Sequence, residues 1–335
     1  MSECLLEMRG ITKVYSNNVV ANDHVDFSLE EGEIHALVGE NGAGKTTLMK
    51  ILFGMERPTE GEILLRGKPL GPYNAKQAIE YGIGMVHQHF MLVDDFTVAE
   101  NIMLGMEEQK GVFIDVDQCC KRVLEVSKKF NLDVDPYAIT GTLPVGIKQK
   151  IEILKALIRG AKILILDEPT AVLTPQETQQ LFGELEHLRE MGYSIIFISH
   201  KIRELKQITS RMTIMRNGKN VGVFRTADIS ESKISQLIMG EDLKMDYDRP
   251  AAKIGEPIVR VRNLSYYCGQ KKPILHDINF DVHAGSILGI AGVQGNGQVE
   301  LVQLMTKERP METGEIEICG QSIRHESVHQ MRRSG

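Results

Sequence analysis

The sequence predicts an α/β protein with a mostly parallel core sheet, an antiparallel β portion at its start and a helical region over residues 74–160. Three observations carry this. Ile163-Leu164-Ile165-Leu166-Asp167-Glu168 is a continuous apolar run closing on two carboxylates. Such a run marks a strand buried on both faces, and hence a parallel sheet. Gly39-Glu40-Asn41-Gly42-Ala43-Gly44-Lys45-Thr46-Thr47 fits the pattern G-x-x-x-x-G-K-[ST], between an apolar run (Ile34 to Val38) and a helix-like one (Leu48 to Leu52). The start of the chain also recurs at a fixed offset of 253 residues: Gly39 returns as Gly292, Phe27 as Phe280, Gly32 as Gly285, Ile34 as Ile287, Gly61-Glu62-Ile63 as Gly314-Glu315-Ile316, and Gly67 as Gly320.

Each element follows from its local pattern. Residues 5–30 alternate apolar and polar positions around Asn17-Asn18, which predicts two antiparallel strands and a turn, with Tyr15 on the ribbon. Glu60 to Gly67 reads as a strand bounded by glycines. Ala75 to Tyr81 is a short helix, and Ile83 to Val86 a strand running out at Gln88. Val98 to Leu104 and Val116 to Phe130 have helical periodicity. After the turn Leu143-Pro144-Val145-Gly146, the residues Ile147, Ile151, Leu154 and Ile158 form one apolar helix face. Gly141, Gly146 and this helix N-terminus are expected to present N–H groups to an anion. Gln176 to Met191 is a helix capped by Thr174, with Pro175 at its first position. Tyr193 to Ser199 is another buried strand, followed by His200.

The chain has 335 residues, 42% hydrophobic and 25% charged, with a net charge of −6. That supports about two globular domains. It supplies no basic surface for nucleic acid, so no nucleic-acid partner is expected. The five cysteines are scattered, without C-x-x-C pairing, and indicate reduced thiols rather than a disulfide framework or a zinc site. Cys119-Cys120 reads as packing. No signal-peptide pattern and no apolar run near the ~18 residues of a membrane helix is present. The first copy fills residues 1–240. Residues 241–257, charged and with two prolines, read as a linker. The second copy starts near Ile258 and holds 78 residues, too few for a complete domain, so a truncated chain or a fragment is expected.

The chemistry gathers where strands end. Glycines let the 39–47 loop aim successive N–H groups at one phosphate, and the helix N-terminus adds its positive end. Lys45 is then placed for the β- and γ-phosphates of a nucleotide, and the Thr46 hydroxyl for Mg²⁺. Ligands of parallel sheets sit at the carboxyl ends of the strands, which puts Asp167, Glu168 and His200 on the side where the loop opens. Asp167 is expected to hold Mg²⁺ and Glu168 to polarise a water for attack on the γ-phosphate. His200 is a candidate for a γ-phosphate contact. Tyr15 is a candidate for stacking on a base. His87 and His89, two apart on a strand and without a third ligand, make a poor metal site.

Together these residues resemble an ATP-binding cassette (ABC) ATPase, a P-loop NTPase fold. In that resemblance Gly39 to Thr47 is the Walker A motif, Gln88 the Q-loop glutamine (a Mg²⁺ and catalytic contact), and Leu143 to Gln149 the signature. Ile163 to Glu168 is Walker B, His200 the switch histidine, and Tyr15 the aromatic stacked on adenine. The match covers about 1–240, and the second copy over its available length. Gly84 to Phe90, Asp167 to Glu177 and the degenerate Gly292 to Gln298 are similar to the tandem ATPases of bacterial importers for simple sugars and nucleosides, with a lean to nucleosides.

The resemblance implies a peripheral subunit on the cytoplasmic face of the bacterial membrane, which binds ATP and Mg²⁺ and energises transmembrane permease subunits. An extracytoplasmic solute-binding protein is an indirect partner, and the docking surface is expected at about Phe90 to Leu104. The family clamps ATP between one cassette's Walker A and the signature of another, so closure needs a second cassette or another ATPase copy. Here Pro144 replaces the signature serine, and Gln298 and Val299 replace the lysine and hydroxyl residue of the second Walker A. Both defects fall in one composite site, so one competent and one degenerate site are expected, with slow turnover by these residues alone. Thr174 stands where the family usually has aspartate. Rival readings are a soluble ABC ATPase unlinked to transport, against which Gln298 and Val299 argue, and a nucleotide-binding fragment with little turnover.

Overall fold

In a computed structural model of the chain, residues 4–110, 113–240, 252–269, 271–292, 295–324, 326–329 and 331 are described. The chain divides into two compact units, Met1–Leu243 and Lys244–Gly335. Of the linker expected over 241–257, residues 241–251 lie outside the described residues.

The first unit begins with the expected hairpin, β1 (Cys4–Val14) and β2 (Val20–Glu30), which pair antiparallel around the Asn17-Asn18 turn. Then come β3 (Ile34–Val38), the phosphate loop and α1 (Lys45–Leu52). β4 (Glu60–Leu65) and β5 (Lys68–Leu70) extend the hairpin into an antiparallel sheet of order β2-β1-β4-β5. Next are α2 (Ala75–Glu80) and β6 (Ile83–Val86). The helical region follows: α3 (Val98–Met103), a small hairpin of β7 (Gln109–Lys110) and β8 (Phe113–Ile114), α4 (Val116–Phe130) and α5 (Val145–Ile158). The unit closes with β9 (Ile163–Asp167), α6 (Pro175–Glu190), β10 (Ser194–Ile198), α7 (Ile202–Ile208), β11 (Arg211–Arg216), β12 (Lys219–Arg225) and α8 (Glu231–Met239).

The core sheet runs β12-β11-β3-β10-β9-β6. All its pairs are parallel except β11 with β12 at the edge. Every residue of β3, β9 and β10 is buried, as the apolar runs predict for strands covered on both faces. The order β3-β10-β9-β6 brings four strand ends side by side: those leading to the phosphate loop, His200, Glu168 and Gln88.

The helical region forms as its periodicity predicts. Cys119, Cys120, Val123 and Phe130 are the buried apolar positions of α4, so the adjacent cysteines are packing residues. In α5, Ile151 and Leu154 are buried, while Ile147 and Ile158 lie partly exposed at the rim of the same core. α6 carries the expected Thr174 cap, with Glu177 closing a capping box and Pro175 as its first residue. It therefore spans one residue earlier than Gln176–Met191. The segment beyond His200 shows no strong local period, and β11, β12, α7 and α8 there were not anticipated.

The second unit repeats the antiparallel part at the predicted offset. β13 (Pro257–Tyr266) and β14 (Leu275–His283) pair like β1 and β2. α9 (Gln298–Met305) starts 253 residues after α1. β15 (Thr313–Ile318) and β16 (Gln321–Ser322) complete a sheet of order β14-β13-β15-β16. Val261, Leu264, Leu275, Leu301, Leu304 and Ile316 form its core.

Candidate functional site

The phosphate loop joins the end of β3 to the start of α1, and two of its glycines have no substitute. Gly44 has φ +95°, and a Cβ there would lie 2.3 Å from the Ala21 carbonyl oxygen. At Gly39 a Cβ would lie 2.4 Å from the Met215 carbonyl oxygen. The turn is closed by the Ala43 N–H donating to the Glu40 carbonyl at 3.1 Å. Ala43 is buried, Glu40, Asn41 and Gly42 lie at the exposed rim, and Thr47 is half-buried. Gly44 caps α1 and has no side chain to bond its first N–H groups, which leaves them for the loop's concavity.

Lys45 is 6% exposed and its Nζ donates to the Gly39 and Glu40 carbonyls at 2.8 and 2.9 Å. Burial pushes this ammonium below its ordinary pKa, while the Glu168 and Asp167 carboxylates pull the other way. The Thr46 hydroxyl donates to Asp167 Oδ2 at 3.3 Å, joining the loop to the end of β9. Asp167 is nearly buried, and burial raises its pKa against the opposing effects of Thr46 and Lys45.

Glu168 leaves the strand with φ +50°, its N–H donating to the Ile198 carbonyl at 3.0 Å. That left-handed turn is uncommon for a side chain other than glycine and marks a constrained position. The carboxylate is held from two sides. His200 Nδ1 lies 3.0 Å from Oε1, and Gln88 Nε2 donates to Oε2 at 3.4 Å. Glu168, His200 and Gln88 therefore meet although they come from three separate strand ends.

Tyr15 stands apart from that cluster. It lies at the tip of the β1–β2 hairpin with the Lys13 ammonium 5.0 Å from its ring centre. Lys13 is itself tied to Glu56 at 2.8 Å and to the Arg57 carbonyl. His87 packs edge-on to Phe53 and is pushed below the usual histidine range by burial. Among the described residues no group of three or more His, Cys, Asp or Glu forms a metal cluster.

The signature region differs from expectation. Pro144 caps α5 without a side-chain bond. The Gly141 N–H donates to the Asp94 carbonyl at 2.8 Å, and the Glu177 carboxylate of α6 stands beside Gly146, its Oε1 2.8 Å from where a Cβ would lie. The Gly141 N–H expected to face an anion is thus committed within the unit, and beside Gly146 a carboxylate stands where an anion would.

Sequence reasoning missed the residues that brace the loop from behind. Asn22, fully buried on β2, donates from Nδ2 to the Gly44 carbonyl at 3.2 Å. The Gly218 N–H donates to the Ala43 carbonyl at 3.2 Å, and Asp23 N–H to the Gly218 carbonyl at 2.8 Å. A polar residue on the apolar face of a strand was the one available signal, at Asn22.

In the second unit, Gly295 and Gly297 have φ +90° and +89°, matching Gly42 and Gly44 at +84° and +95°. Gln298 occupies the lysine position, and its Nε2 lies 2.1 Å from where a Cβ on Gly292 would stand. Val293 and Gln294 lie outside the described residues. Val299 is exposed and has no oxygen to offer.

Comparison with known proteins gives a consistent result. The family model described as ABC transporter matches residues 22–171 and 275–334. A glucose import ATP-binding protein of Haloferax volcanii is 40% identical over 97% of this chain. A nucleoside import ATP-binding protein of Lactococcus lactis is 41% identical over 96%, and a guanosine import ATP-binding protein of Bacillus subtilis 41% identical over 99%. The chain spans 64%, 63% and 65% of the lengths of these three relatives. Among solved structures, a nucleotide-free ATP-binding cassette from an ABC transporter superposes with a TM-score of 0.62 at 22% identity, over 71% of this chain and 96% of that one. A part of an ABC transporter complex from Clostridium perfringens gives 0.59 at 26%, over 68% and 90%.

Proposed function

This chain belongs to the ABC transporter family, with the ABC ATPase cassette fold, and on that premise we propose that residues 1–240 are a cassette that binds ATP with Mg²⁺ and hydrolyses it to energise import of a nucleoside or simple sugar. The observation that carries it is the Glu168 carboxylate held between His200 and Gln88, one residue from the Asp167–Thr46 pair. The Gly39–Thr47 loop cradles the phosphates, and Lys45 exchanges its carbonyl partners for phosphate oxygens. Thr46, Asp167 and the Gln88 side-chain oxygen suit a hard cation, because Mg²⁺ is commonly held by one or two carboxylates together with substrate phosphates. When bound, it neutralises charge on the transferred phosphoryl group. Glu168 orients and polarises the attacking water, His200 contacts the γ-phosphate, and Tyr15 stacks on the adenine.

Residues 258–335 are proposed as the start of a second cassette whose phosphate loop is degenerate, since neither Gln298 nor Val299 replaces the charge or the hydroxyl. Pro144 and the Glu177–Gly146 contact weaken the signature that would face it. The solute class rests on what the relatives import, which covers glucose, nucleoside, guanosine and galactose.

The partners proposed are membrane permease subunits, a second cassette or ATPase copy that completes the nucleotide sandwich, and indirectly a solute-binding protein. No helix among the described residues is long and apolar enough to cross a membrane. Attachment to the cytoplasmic face would therefore run through permeases. Met91, Val93, Phe96 and Leu104 are exposed, and Met91 lines a cavity of about 260 Å³ together with Phe53, His87 and Arg159, a surface of the kind that takes a partner's helix.

Glu168→Gln tests the hydrolytic reading. It should keep MgATP binding, read with a fluorescent ATP analogue, and abolish phosphate release. Unchanged release would remove Glu168 from the base role.

A further inference from the structure

We propose that Thr170, Lys201 and Glu204 are positioning residues that hold His200 against Glu168; this rests on the hydrolytic reading of that site. His200 is more than half exposed, so packing does not fix its ring. It lies in the short connection between β10 and α7, and its distance from Glu168 depends on how that connection is held to the one following β9.

The structure ties the two connections through a closed ring of polar contacts. Thr170, two residues past Glu168, is 1% exposed. Its hydroxyl donates to Glu204 Oε2 on α7. Its carbonyl accepts from Lys201 Nζ at 2.7 Å. Lys201 Nζ lies 3.0 Å from Glu204 Oε1, which closes the ring. The Lys201 N–H donates to Ser199 Oγ at 3.1 Å, so the residues on both sides of His200 are bound to each other as well. An exposed Lys–Glu pair contributes little alone. Thr170 changes that, because its buried hydroxyl would be left unpaired without Glu204, and without Lys201 its carbonyl would keep only the long bond from the Leu173 N–H at 3.4 Å. None of the three touches Glu168 or His200 through a side-chain bond in this arrangement. Their effect on the reaction passes through backbone placement, for which small displacements are costly.

The test uses the 335-residue chain and four variants: Lys201→Met, Lys201→Arg, His200→Ala and the Lys201→Met/His200→Ala double. Single-turnover hydrolysis of ATP with protein in excess should fall about tenfold in Lys201→Met, with ATP affinity changed less than twofold. Lys201→Arg should recover most of the rate. The double variant should be no slower than His200→Ala alone, since the cluster acts through that ring. A wild-type rate for Lys201→Met, a parallel loss of ATP affinity, or losses that multiply in the double variant would overturn the proposal. A wild-type rate for His200→Ala would instead overturn the role given to His200, and the proposal with it. Independently of turnover, the His200 ring resonances should be sharp in the parent and exchange-broadened in Lys201→Met; sharp, unmoved resonances would also overturn it.

Discussion

The phosphate loops of the two units differ in a way that separates local from long-range encoding. Gly42 and Gly44 in one and Gly295 and Gly297 in the other share the same left-handed backbone, and α1 and α9 start at equivalent residues. The strand before each loop does not repeat. Ile34–Val38 is a fully buried strand flanked by β10 and β11. Residues 287–291 are apolar at matching positions, but they are not a strand and Ile287 is fully exposed. Glycines and a helix start suffice for the cradle, whereas a central parallel strand exists through its neighbours.

The largest test of this contrast is a pair of truncations. Ile34→Ala removes atoms from a closed core and should cost about 2–5 kcal/mol of stability. Ile287→Ala, at the matching position, should change stability by less than about 0.5 kcal/mol. Calorimetric melting of both variants of this chain reads the difference. Equal effects would mean that Ile287 is packed as Ile34 is, and the contrast would fall.

Lys45→Gln comes next, because it gives the first loop the residue found at Gln298. It removes charge-assisted contacts to phosphate worth roughly 1.5–3 kcal/mol, so ATP should bind about 10- to 100-fold more weakly. The fold should survive, since the backbone cradle needs glycines rather than lysine. Equilibrium binding with a fluorescent ATP analogue, together with an unchanged melting profile, checks both halves.

A smaller effect comes from a group that only the first unit has. His35 on β3 is fully buried, between Glu33 at 3.0 Å, Thr213 at 2.8 Å and the Phe27 ring, with Arg211 and Glu30 beyond. Burial holds its pKa below the ordinary 6.5, although Glu33 pulls it up. The unfolded chain therefore takes up a proton before the folded one does. Stability from this residue is intact above pH ~6.5 and declines as pH falls toward the folded value. Position 288 of the second unit is leucine. Melting temperature measured from pH 7.5 down to 5.5 should fall in the parent chain and fall less in His35→Gln, while Leu288→Gln should leave the slope alone.

These contrasts also mark how far the sequence could be read. The α/β class, the parallel core, the capped α6 and the boundaries of α4 were legible because apolar runs, capping residues and periodicity act within a few residues. So were Gly39 to Thr47, Asp167 and Glu168, which sit in motifs of fixed spacing. The placing of Asp167, Glu168 and His200 on one side followed from the rule that ligands sit at strand ends, whereas the meeting of Gln88 and His200 on the Glu168 carboxylate did not. What stayed hidden depends on partners distant in the chain. Asn22 reaches Gly44 from another sheet, and Glu177 stands beside Gly146 from the next helix. The ring of Thr170, Lys201 and Glu204 exists only once β9 and β10 lie side by side. Residues 201–240 gave no strong pattern, because β11 is apolar only at its centre and β12 is an edge strand with half-exposed residues.

The smallest expected effect is the reverse exchange, Gln298→Lys with Val299→Thr, made in the Lys45→Gln background so that the first loop binds weakly. The second loop would regain an ammonium and a hydroxyl on a backbone that already has the right glycines. In the first unit, however, Thr46 works beside Asp167, and the loop that holds Lys45 is backed by β11, whose Met215 carbonyl approaches Gly39, and braced by Asn22 at Gly44. At the offset of 253, Asn22 corresponds to Leu275, whose side chain cannot donate to the Gly297 carbonyl. The exchange should therefore recover less than about 1.5 kcal/mol, roughly a tenfold gain in ATP affinity, and no hydrolysis. Calorimetric titration with MgATP measures it. Recovery of the parent affinity would show that a phosphate loop needs only its own residues, and that the braces around Gly39 to Thr47 serve the fold rather than the nucleotide.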